Sequence, residues 1–311
     1  MDKKAPICVV GAHTPVGAAL VRALAGQGYA AVVGVTEDVE LTDARAVDAA
    51  FAASKPAYVF VAAGKSGGIG RNQRQPATLM HDNLLVAAHV LASAQRCGVR
   101  KLLYLASSCT YPRACPQPMP ESALMTGRLE PTSAPYAVAK LAGVVLCEAY
   151  RREHGSPFVA AIAADSFGPG DDFSPEDSHV VAALMEKMHR AKQTGAPAVE
   201  LWGTGTARRD FIFVDDLADA CLWVMDHYDE YGPINLGGGG ELSVADLARL
   251  IRDVVGYRGE VRFDRTRPDG APVKVLDGRR LAALGWQRKT SMPEALARTY
   301  EWFDGQGRGE G

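Results

Sequence analysis

Short apolar runs alternate with helix-periodic stretches through the first half of this chain, and few folds tolerate that pattern. Strands are expected at residues 6–11, 30–35, 57–62, 101–106 and 158–163, with helices at 16–28, 44–53, 76–97 and 134–154 between them. Strands that are apolar on both sides need cover on both faces, and parallel strands need long crossovers; the intervening helices meet both requirements. The expectation is an α/β chain built on a Rossmann-like, doubly wound parallel sheet. Past residue 165 the rhythm breaks: Pro and Gly become frequent, and helical stretches at 178–193, 214–228, 243–256 and 291–303 alternate with short strands. That part is expected to form a smaller C-terminal α/β lobe. The division then falls at residues 1–165 and 166–311, with about 205–240 returning to the first sheet.

The first strand runs into Gly11, Ala12, His13, Thr14, Pro15, Val16 and Gly17, which open the first helix. Glycines at such a turn let the backbone approach a pyrophosphate, and the helix N-terminus offers it N–H groups. The middle glycine of these loops is missing here. Thr14 suits the N-cap and Pro15 the first turn, so the segment makes a good helix start with or without a ligand.

Tyr136 and Lys140 are spaced Y-x-x-x-K in a helical stretch, and Ser107 lies at the C-terminal end of the fourth expected strand. Separations of four residues put both side chains on one helix face, where the Lys140 ammonium is expected to hold down the Tyr136 phenol. A phenol titrates near ~10 and needs such help to exchange a proton at neutral pH. Ser107 would supply a second hydrogen bond to the same substrate oxygen. Taken alone, Y-x-x-x-K is common by chance. Following a strand end that carries Ser107, where open parallel sheets bind ligands, it points to hydride transfer at a carbinol with a nicotinamide cofactor.

Composition narrows the alternatives. The chain has 311 residues, 47% of them apolar, and a formal net charge of -2. Without a long basic run, no nucleic-acid partner is expected. No apolar stretch approaches ~18 residues and the start MDKKAPICVV has no signal-peptide pattern, so no membrane partner is expected and the protein reads as cytoplasmic. Six scattered cysteines form no C-x-x-C pair, and no metal site is expected.

With these residues in view, the chain resembles the GDP-L-fucose synthases, extended short-chain dehydrogenase/reductases that epimerise a GDP-4-keto-6-deoxy-mannose at C3 and C5 and then reduce C4. The resemblance runs through AAGKSGGI (62–69), LASSCTYP (105–112), QPMPESAL (117–124), LEPTSAPYAVAKLAG (129–143), DSHV (177–180), WGTGTARRDFIFVDD (202–216) and PDG (268–270). It implies that Cys109 and His179 are the base and acid for inversion beside the ketone, alongside Ser107, Tyr136 and Lys140. It further implies that Ser108, Cys109, Lys187, Trp202, Arg209 and Asp269 hold the nucleotide-sugar substrate. Around the cofactor it places Gly11 to Gly17, Ala62, Ala63, Gly64, Leu105, Ala106, Tyr136, Lys140, Ala163, Asp165, Ser166 and His179. Helices around Val86 and Val144 pair two subunits in relatives, so a homodimer is expected.

Two departures from the family stand out. Its members usually carry Arg in the glycine loop and after the second strand, where NADP places its 2'-phosphate. This chain has His13 in the loop and Glu37 and Asp38 after the strand. Carboxylates there would repel a phosphate and accept ribose hydroxyls, so NAD is expected over NADP. After the fifth strand the family has Pro-Thr-Asn and this chain has Ala163, Ala164 and Asp165. A charge at Asp165 changes what the site can hydrogen-bond. The departures leave open an NAD-retaining 4-epimerase acting on a GDP- or ADP-linked hexose or heptose, with no net redox change. A catalytically silent sensor is the reading from another class, and the retained Ser107, Tyr136 and Lys140 speak against it.

Overall fold

The computed structural model describes residues 1–175, 177–266 and 271–306. Its first part runs β1 (Ile7–Val10), α1 (Pro15–Gly26), β2 (Val32–Val35), α2 (Ala44–Ser54), β3 (Tyr58–Val61), α3 (Ile69–Arg74), α4 (Pro76–Arg96), β4 (Lys101–Ser107), α5 (Ala134–His154) and β5 (Phe158–Ala163). The remainder comprises β6 (Asp165–Phe167), α6 (Val180–Thr194), β7 (Ala198–Trp202), β8 (Arg208–Phe213), α7 (Val214–His227) and β9 (Ile234–Leu236). It continues with β10 (Glu241–Ser243), α8 (Val244–Val255), β11 (Glu260–Asp264), β12 (Val273–Lys274), α9 (Arg279–Ala283) and α10 (Met292–Gln306).

Local chemistry sets many of these boundaries. Thr14, Asp43 and Ser243 accept backbone N–H bonds at the starts of α1, α2 and α8, while Gly155, Gly195 and Gly256 close α5, α6 and α8 in the left-handed region. All four residues of β1 are buried, as are β4's Leu102 to Ala106, which explains why those segments read as unbroken apolar runs. Each Val, Leu or Ile among them taken from water contributes about 1.5–3 kcal/mol.

Six strands form one parallel sheet in the order β2-β1-β3-β4-β5-β9. The winding direction reverses between β1 and β3, and ligands bind at the carboxyl ends of strands beside such a reversal. A second sheet has β8 at its centre, paired antiparallel with β10 and parallel with β12 and β6. β7 and β11 form a parallel pair of their own. The fold is the expected Rossmann-like α/β arrangement.

One expectation changes at the helices flanking the sheet. Val86 and Val144 are 7% and 2% exposed, because α4 and α5 pack on each other, and α5 on β4 and β5, with those faces inward. The large apolar side chains that α5 leaves exposed are Val138 and Val145, at 39% and 41%. Their separation of seven residues places them on one face.

Candidate active site

The carboxyl end of β1 is drawn tightly onto the end of β3. Gly11 has φ +83°, and a Cβ there would sit 2.7 Å from Ala63 Cα, so only glycine fits. At Gly17 an added Cβ would lie 1.9 Å from Gly11 O. Thr14 replaces the missing middle glycine with a hydroxyl that donates to Gly11 O at 2.8 Å and accepts from Gly17 N at 3.0 Å. It keeps extended backbone geometry, φ -70° and ψ 156°, so no glycine is required at that position.

Above this turn lies a cleft of about 170 Å³, lined by Thr14, Pro15, Val16, Ala62, Gly64, Ser66, Ser166, Phe167, Asp171, His179 and Val214. The start of α1 borders it, as a pyrophosphate requires. Gly64 bends at φ +134°, where a Cβ would reach Asn83 Oδ1 at 2.3 Å and Lys140 Nζ at 3.2 Å. The close glycine turn, the helix start and the cleft together fit the pyrophosphate of a dinucleotide. Glu37 and Asp38 follow β2 and are exposed, with His13 exposed on the neighbouring loop.

The chemistry-bearing side chains meet at the end of β4. Ser107 ends the strand, pairs in register with Ala163 and accepts from Cys109 N at 3.3 Å. The first turn of α5 presents the Tyr136 phenol close enough for Ser107 to act on it. Burial pushes that phenol above its ordinary range and the neighbouring Cys109 adds to the effect; Ser107 opposes both.

Lys140 corrects one expectation. Its Nζ donates to the carbonyls of Ala63 at 3.2 Å and Leu105 at 3.1 Å, and lies 5.2 Å from the Tyr104 ring centroid. Burial brings the ammonium down to about 8. The phenol is raised here rather than lowered, and the longer Lys140 side chain reaches past it to the strand ends. The residue sits between Ala63 and Leu105, where it can serve a cofactor ribose.

Cys109 is half-buried beside Ser108, whose hydroxyl donates to Asp165 Oδ1 at 3.2 Å. The same carboxylate oxygen accepts from Lys274 Nζ at 3.2 Å, and Lys274 also lies 3.5 Å from Cys109 Sγ. Although burial pushes the Asp165 carboxyl up, Lys274 draws it below its usual range, with His179 and Arg209 acting in the same direction. His179 is the N-cap residue of α6 and lines the cleft.

Of the remaining expected residues, Arg209 lies close enough to act on Asp165 and Lys274, and donates to Ala271 O at 2.7 Å. Lys187 donates to the Glu200 carbonyl on β7, the strand that ends at Trp202, 63% exposed. Asp269 lies outside the described residues. Lys274 and Asp171 were not anticipated. Asp171 Oδ1 accepts from Asp172 N at 2.9 Å, while Oδ2 is buried without a hydrogen-bond partner among the described residues. Burial pushes its carboxyl up to about 6, with His179 opposing. A buried oxygen without a partner among the described residues, on a side chain that lines a cleft, is a signal that only structure carries.

Comparison with known proteins agrees with this geometry. Residues 7–237 match the model of the NAD dependent epimerase/dehydratase family. GDP-L-fucose synthase 1 of Arabidopsis thaliana is 46% identical over 303 residues, covering 97% of this chain and 94% of the relative. Among solved structures, a GDP-6-OMe-4-keto-L-xylo-heptose reductase from C. jejuni has a TM-score of 0.93 at 29% identity, covering 98% and 99% of the two chains. A GDP-L-fucose synthetase from Naegleria fowleri bound to NADP has a TM-score of 0.92 at 27% identity, covering 99% and 95%.

Proposed function

The chain belongs to the GDP-L-fucose synthases within the NAD-dependent epimerase/dehydratase family, and from that membership we propose that it epimerises a GDP-4-keto-6-deoxy-mannose at C3 and C5 and then reduces C4. It is an NAD(P)-dependent nucleotide-sugar epimerase/reductase. The observation that carries the substrate reading is the meeting of Ser107, Tyr136 and Cys109 at one strand end, which sets a proton donor for C4 beside a thiol for C3 and C5.

Cys109 takes the proton from the carbon next to the ketone, and His179 returns one from the opposite face, giving inversion. Tyr136 then gives its proton to the C4 oxygen, held by Ser107. A high phenol pKa keeps Tyr136 protonated and ready to donate at neutral pH. When bound, the nicotinamide cofactor supplies the hydride to C4. Gly11 to Gly17, Ala62 to Gly64, Leu105, Ala106, Lys140, Ala163 and Ser166 would hold that cofactor, and Lys187, Trp202, Arg209 and Asp269 the nucleotide sugar. The exposed Glu37 and Asp38 support NAD over NADP. Val138 and Val145 support a homodimer through α5.

The test is to offer GDP-4-keto-6-deoxy-mannose with NADH or NADPH and follow the absorbance of the reduced cofactor. Stoichiometric consumption is expected, faster with NADH, and Tyr136→Phe should slow it by about 10²–10⁴-fold. Product formed with no consumption would show a redox-neutral epimerase instead.

A further inference from the structure

A cation enters the site from the far end of the sequence. β12 pairs with β8 so that Lys274 lies beside Arg209, and its side chain, 21% exposed, runs toward the end of β4. There its Nζ lies 3.5 Å from Cys109 Sγ and 3.2 Å from Asp165 Oδ1. That carboxylate oxygen also accepts the Ser108 hydroxyl at 3.2 Å. A carboxylate, an ammonium and a thiol thus stand in a row, and Cys109 N donates to Ser107 Oγ while the Thr110 hydroxyl donates to Ser107 O.

The form of a cysteine that takes a proton from carbon is the thiolate, and a cation in contact favours it over the thiol. An ammonium in such a place needs its own counter-charge or it repels Arg209 nearby; Asp165 supplies one. We propose that Lys274 is the positioning residue for the epimerisation half of the reaction, setting its ammonium against Cys109 Sγ as that sulfur works on the substrate, while Asp165 holds Lys274. This rests on Cys109 being the base. In the step itself the C–H bond beside the ketone breaks, the S–H bond forms, and the electron pair moves onto the C4 oxygen as an enolate. Lys274 keeps its protons throughout. The Asp165 carboxylate gives that ammonium a counter-charge within the same chain.

The experiment incubates GDP-4-keto-6-deoxy-mannose with enzyme in heavy water without reduced cofactor and measures deuterium entering C3 and C5. Cys109 labelling by iodoacetamide is followed separately by peptide mass spectrometry, and NADH affinity reports an intact fold. Lys274→Met should slow both deuterium entry and Cys109 labelling by at least about tenfold with NADH affinity kept, and Lys274→Arg should restore most of both. Deuterium entry and labelling within about threefold of wild type in Lys274→Met would overturn the role of Lys274. If Lys274→Met does not fold, the same two rates in Lys274→Gln decide by the same thresholds. Should Cys109→Ser keep wild-type deuterium entry, the failure belongs to the epimerase reading itself and not to Lys274 alone.

Discussion

Asp171 keeps one carboxylate oxygen away from both water and any donor among the described residues. Burial pushes its carboxyl up to about 6 in the folded protein, against 3.8 for the free side chain. Between those values the folded state holds a proton that the unfolded chain has released, so stability falls as pH rises through the window. Asp171→Asn removes the ionisation. The variant should therefore gain on the order of 2 kcal/mol over wild type between pH 3.5 and pH 7, measured by urea unfolding across that range; a difference that stays constant with pH would contradict the assignment. Ser107, Tyr136 and Lys140 were legible in the chain because a strand end and a helical spacing announce them, whereas Cys109 was reached only through the family resemblance. Asp171 and Lys274 were not, because Lys274 reaches Cys109 across 165 residues and no local spacing connects them. The fate of the Lys140 ammonium was also hidden, since its acceptors are carbonyls on two other segments.

Helix α5 depends on one small residue for its seat. A Cβ on Gly143 would fall 2.3 Å from Tyr104 Cζ and 2.5 Å from its hydroxyl oxygen, and Tyr104 is 1% exposed within β4. The ring has little room to retreat, and Lys140 lies over it. Gly143→Ala should destabilise the protein by about 1–3 kcal/mol. It should also lower kcat more than it raises KM, because tilting α5 moves Tyr136 relative to Ser107. Thermal unfolding and steady-state kinetics check both; unchanged kcat in a destabilised variant would show that α5 does not set the Tyr136 geometry. The long elements were readable from their periodicity. α3 was not, being six residues just ahead of Pro76, and neither was β12, whose two residues offer no pattern while supplying Lys274.

At the scale of the whole molecule, the parallel sheet and its reversal beside β1 followed from strands too apolar to face water. Which surface remains for a second copy did not, because a helix facing a sheet and a helix facing a partner look alike in sequence. That is why Val86 and Val144 turned out to be core while Val138 and Val145 face outward. The wild-type protein should scatter light as a dimer and the double variant Val138→Glu, Val145→Glu as a monomer. A monomeric wild type would sink the assembly. The position of β12 also carries a consequence for synthesis. As the chain leaves the ribosome, Ser107, Tyr136 and Lys140 emerge long before Lys274. A nascent or prematurely terminated chain therefore carries Ser107, Cys109, Tyr136, Lys140 and His179 without the cation that faces Cys109, and only translation beyond β12 brings Lys274 to that thiol.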